Sequence, residues 1–107
     1  MVAMQKLIRT MDRLGYAEST IGTKYLREAV EIAEGLTRLM VCKDVYPEVA
    51  KRNGVSPANV ERAIRTATEK ATRSPSWDFN WREIGGWGHP TNAEVIARLA
   101  RESFVED

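Results

Sequence analysis

Residues 46–65, YPEVAKRNGVSPANVERAIR, constrain the fold more than any other stretch, because they set a helix stop, an apolar plug and a helix start in consecutive positions. Gly54 supplies a backbone conformation that a Cβ would penalise. Val55 follows as the plug. Ser56 suits an N-cap, where its side-chain oxygen satisfies free backbone donors, and Pro57 suits the first helical position, where its missing N–H costs nothing. Val49 and Ala50 before the turn, and Val60 and Ala63 after it, have the spacing that two helices need to pack at a steep angle. The pattern is that of a helix-turn-helix, with helices expected over 45–53 and 57–73. Asn53 departs from it, standing where an apolar residue is usual. The same features also fit a generic helical hairpin.

A 3.6-residue period puts Val60, Ala63, Ile64, Ala67 and Ala71 on one seam of the second helix, and Ala58, Arg62, Arg65, Glu69 and Arg73 on the other side. Arginine carries a planar fork that takes both acceptors of a guanine edge, and a recognition helix presents its N-terminal half to the bases. The candidate DNA-binding residues are therefore Ser56, Ala58, Asn59, Glu61, Arg62, Arg65 and Thr66, with Lys51 and Arg73 as flanking cations. Asn59 suits adenine, Glu61 suits a cytosine amino group or a neighbouring arginine, and Ala58 permits close approach. Against this stands a plainer reading, in which the arginines keep an exposed helix solvated and Glu61 with Arg65 is an ordinary i, i+4 pair.

The rest of the chain also reads as helix. Met4, Leu7, Ile8, Met11 and Leu14 recur at helical spacing up to Gly15, which suits a C-cap. A second helix is expected over 22–34, with Tyr25, Leu26, Ala29, Val30, Ile32 and Ala33 as its apolar positions, and a short third over 36–42. Ser74 and Pro75 end the motif's second helix. Trp77, Trp81 and Ile84 share one face of a further short helix. Thr91 with Glu94 forms a capping box that opens a last helix through Val95, Ile96, Leu99 and Ala100.

All three tryptophans, with Phe79, fall between the recognition helix and the last helix. Aromatic rings bury much area in a domain of small volume, so closing the core is one role for them. A protomer contact made by one or two exposed rings is the other.

Chemistry other than recognition finds little footing. His89 is the one histidine and Cys42 the one cysteine, so neither a nucleophile-base pair nor the three or four ligands of a zinc site is available, and no cofactor is expected. Cys42 lies in the apolar run LMVC, and burial is the general tendency of a free cysteine. Glu28, Glu31 and Glu34 read as a solvated helix face. The net charge of +1 provides no general attraction for nucleic acid, so any positive field must come from the local cluster Lys51, Arg52, Arg62, Arg65, Lys70 and Arg73. No run approaches the roughly 18 apolar residues that cross a bilayer, and a cytoplasmic protein is expected. With 107 residues, 43% of them apolar, the chain has material for one helical domain spanning 1–107.

YLREA at 25–29, YPEVAKR at 46–52, VERAIR at 60–65 and PTNAEVIA at 90–97 together resemble the C-terminal DNA-binding domain of the master response regulator of endospore formation, the stage-zero sporulation transcription factor. The resemblance runs from about residue 15 to about 101. It implies an all-α bundle of about six helices, of the winged-helix-like effector class, that regulates transcription by binding double-stranded DNA. It further implies a head-to-tail dimer on tandem sites, and RNA polymerase as a partner. By position, Glu61, Arg62 and Arg65 match the family's base and phosphate contacts. Asn59 stands where the family has arginine and Thr66 where it has histidine, which puts the target sequence or the strength of binding in question. The family ordinarily carries a receiver domain, which the chain has no length to add. The alternative is a protein-interaction module with the same fold and no DNA affinity.

Overall fold

Local capping chemistry marks several of the helix ends. The structure, a computed structural model, describes residues 2–34 and 41–104. Helix α1, Met4–Leu14, closes on Gly15, whose N–H reaches back to the carbonyls of Met11 and Asp12. Helix α2 is Ile21–Glu34, and a single π-helical turn, Val41–Val45, leads into α3, Tyr46–Asn53. Helix α4 is Pro57–Thr72, α5 is Trp77–Glu83 and α6 is Asn92–Ser103. Thr91 accepts from the Glu94 N–H while the Glu94 carboxylate accepts from the Thr91 N–H, so the expected capping box forms in full at the start of α6.

The architecture is all-α, with α2 at the centre packed mainly against α4 and α6. Leu26, Ala29 and Val30 of α2 meet Val60, Ile64 and Ala71 of α4 and Val95, Ile96 and Leu99 of α6 in one buried cluster. Helix α1 contributes Leu7, Met11 and Leu14. Val2, ahead of α1, pairs with Phe104, just after α6, in an isolated antiparallel bridge. Apart from that bridge the described residues hold no β pairing, so among them no wing accompanies the helices.

One expectation lies outside the described residues and two others are refined by tertiary packing. The short helix expected over 36–42 lies largely outside the described residues, as does the side chain of Cys42, and what is described there is the π turn. Ala63 is half-buried rather than enclosed, and the seam it was assigned to is instead extended by Thr68. The Thr68 hydroxyl lies 2.7 Å from that of buried Tyr16, beyond the end of α1. Burial pushes the Tyr16 phenol well above the ordinary tyrosine range, only partly offset by the bond to Thr68. The aromatic cluster divides. Trp77 and Trp81 are buried and stack with ring centroids 5.4 Å apart, while Phe79 and Trp87 are 68% and 76% exposed.

Candidate nucleic-acid interface

The turn between α3 and α4 is built as its residues require. Gly54 adopts φ 65° and ψ 34°, the left-handed region, and the N–H of Val55 bonds the Ala50 carbonyl at 3.1 Å. Ser56 is extended, and its Oγ accepts the N–H of Asn59 at 3.1 Å, which starts α4. Half-buried Val55 packs against the core. Asn53, the residue that broke the apolar pattern, donates to the Val49 carbonyl at 2.8 Å and to Glu28 at 3.1 Å, and accepts from Lys24 at 2.9 Å. Polar ties to α2 thus replace the usual apolar contact and lock the first helix of the motif in place.

Helix α4 is held from behind by a close helix crossing. A Cβ built on Gly22 of α2 would run into the Ala63 carbonyl and come within 2.8 Å of the Ala67 Cβ. Hydrogen at that position and alanines opposite let the two backbones approach, which leaves the arginine and lysine side chains of α4 at the surface. A second brace comes from α6, where Asn92 Nδ2 donates to the Glu61 carbonyl at 3.0 Å and to the Tyr46 hydroxyl at 3.1 Å, tying the start of α6 to both motif helices. Sequence reading missed this brace, although Asn92 lies within the PTN run.

The expected binding residues all reach the surface, but along different lines. Ser56, Ala58, Asn59, Arg62, Arg65 and Thr66 are exposed and Glu61 is half-buried. The outer face of α4 has two edges. Along one, Asn59, Arg62 and Thr66 line a groove against the N-terminal turn of α2, together with Thr20, Ile21 and Lys70, and no carboxylate enters it. Along the other, Glu61, Arg65 and Glu69 line a groove against His89, Pro90 and the start of α6. Arg65 Nη1 lies 2.7 Å from Glu61 Oε1, so this guanidinium is held in position. Arg62 has no ion-pair partner among the described residues. Lys51 is exposed on the last turn of α3. Arg73 caps the far end of α4, about 22 Å along the helix axis from Ala58, and so stands apart from the N-terminal half. Ile21 escaped the sequence reading because an apolar residue at a helix start carries no signal of exposure, yet it is 53% exposed beside Arg62.

Among the described residues, no helix is long and apolar enough to cross a membrane, and no three His, Cys, Asp or Glu side chains converge as a metal site. An all-α domain with a braced helix-turn-helix and a charged outer helix face belongs to the class of DNA-binding effector domains. The chain matches the family described as sporulation initiation factor Spo0A C terminal over residues 7–102, nearly its whole length, and it belongs to that family. Membership makes it a DNA-binding effector domain of a sporulation regulator, a transcription-factor domain and not an enzyme, with double-stranded DNA as its partner.

Proposed function

We propose that the chain acts as one DNA-binding unit that reads a specific sequence by laying the N-terminal half of α4 in the major groove. Arg65 serves as the principal base-reading side chain, Asn59 and Glu61 complete the selection, and Arg62 and Thr66 contact the DNA from the edge of α4 toward α2. Ala58 permits close approach, and Ser56 and Lys51 hold the flanking backbone. The observation that carries this reading is the sidedness of α4. Its back is sealed against α2 and α6, while Arg62 and Arg65 point to solvent. The Glu61 carboxylate orients the Arg65 fork in advance. An exposed i, i+4 pair contributes only about 0.3–0.5 kcal/mol, so it is readily given up to a better acceptor on a base. Ser56 has its oxygen engaged by Asn59, which leaves its hydroxyl proton to donate to a phosphate.

Assembly as a head-to-tail dimer on tandem sites, and contact with RNA polymerase, belong to the same proposal. Comparing affinity for one and for two half-sites tests the first. The second reading, an interaction module without DNA affinity, draws on a specific observation, the exposure of Phe79 and Trp87 near one another in the chain. Selection of bound oligonucleotides from a random duplex pool separates the two: a DNA reader enriches a defined motif, whereas an interaction module enriches nothing. Arg62→Ala and Arg65→Ala are each expected to weaken binding to that motif by about 1–3 kcal/mol. Unchanged affinity in both variants removes the assignment of the reading face.

A further inference from the structure

We infer that the groove between α2 and α4 is a seat for the phosphodiester backbone of one DNA strand, with Lys70 and Arg62 contacting phosphates and Ile21 packing on the sugars between them. This rests on the reading that α4 enters the major groove, and it assigns the two edges of that helix to different work. A helix in the major groove is flanked by both strands' backbones, so each edge of α4 faces a row of phosphates. The two edges differ in chemistry. The edge toward α6 carries Glu61 and Glu69, which repel phosphate, and holds Arg65 in an internal pair. The edge toward α2 bounds a groove of about 380 Å³ into which Arg62 and Lys70 project and no acid does.

Neither Arg62 nor Lys70 is in an ion pair among the described residues, so both charges are available to a ligand. They stand two helical turns apart, about 12 Å along the axis, and therefore reach separate phosphates. The opposite wall offers the Thr20 side chain and Ile21, a large apolar residue left 53% exposed, over a floor that Tyr25, Val55 and Ala63 make largely apolar. A deoxyribose between two phosphates presents an apolar face to such a side chain, and the hydroxyls of Thr20 and Thr66 donate to phosphate oxygens without adding charge. Backbone contacts of this kind set the register in which Arg65 meets the bases, while carrying no sequence preference themselves.

The test measures affinity for the selected duplex and for a random-sequence duplex between 50 and 200 mM salt, with wild type, Lys70→Gln, Ile21→Glu and Arg65→Ala. Each lost phosphate contact lowers the salt slope by about 0.9, so Lys70→Gln should shrink the fall in affinity across that range by about 3.5-fold. Ile21→Glu places a carboxylate in the seat and should weaken both duplexes by at least tenfold while leaving their ratio unchanged. Arg65→Ala should instead reduce the ratio. Both groove positions are exposed and tolerate substitution, which unaltered melting curves will verify. If Lys70→Gln and Ile21→Glu bind like wild type while Arg65→Ala loses preference, the backbone seat is overturned and the reading of α4 stands. If wild type binds neither duplex, both fall together.

Discussion

Helices α4 and α5 follow each other in the chain and solve opposite problems. The first puts its small residues inside and its long charged ones outside. The second puts Trp77 and Trp81 inside and leaves Phe79 on the surface. Helix α4 is secured by backbone proximity, since Gly22 lets α2 lie against Ala63 and Ala67. Helix α5 is secured by ring packing, with Trp77 stacked on Trp81 and edge-on to Tyr16 at 6.1 Å. Trp81 is capped in turn by Gly86, where any Cβ would collide with the indole. The contrast separates recognition from stability. Changes on the exposed side of α4 leave its attachment untouched, whereas α5 depends on its two rings, aided by the Asn80 amide, which donates to the Arg13 carbonyl at 2.9 Å.

The largest effect should come from removing one of those rings. Trp81→Ala is expected to cost about 3–5 kcal/mol of stability, and calorimetry should record the drop while the surviving folded fraction keeps its sequence preference. A change in preference would show that α5 and α4 are coupled, and would break the contrast. Gly22→Ala comes next. Overpacking of this kind costs about 1–3 kcal/mol, offset in part by the roughly 1 kcal/mol that alanine gains over glycine in a helix. Because the clash displaces α4, melting temperature and DNA affinity should fall together; an unaltered or raised melting temperature would mean that the crossing is not tight.

At the turn, nothing lies within 4 Å of a Cβ built on Gly54, so Gly54→Val meets no clash and pays for its left-handed conformation alone, about 1–2 kcal/mol. Gly54→Asn should recover much of that loss in thermal denaturation, because asparagine tolerates the same region. The smallest effect belongs to Trp87, whose ring is 76% exposed and held by Arg82 stacked 5.0 Å from its centroid. Trp87→Ala should cost under about 1 kcal/mol of stability. A larger loss would show that the ring supports the fold rather than offering a surface.

Six helices, the caps at Gly15, Ser56 and Thr91 and the turn at Gly54 were legible in the residues, because each depends on neighbours a few positions away: an N-cap serine, a capping box, an apolar stripe repeating every three or four residues. The side of α4 that faces outward was legible for the same reason. The fate of the aromatic cluster was not. Phe79 and Trp81 are two residues apart and end on opposite sides of α5, and periodicity says nothing about Trp87 in a loop. Asn53 read as a flaw in the motif until Lys24 and Glu28 were seen to bond it. What the order of residues determined about this protein is therefore its helices, its motif and its family. What tertiary packing decided is which exposed groups share a groove. That Ile21 and Lys70 meet across one edge of α4, while Glu61 and Glu69 occupy the other, depends on a helix crossing between segments some forty residues apart, and no local pattern encodes that approach.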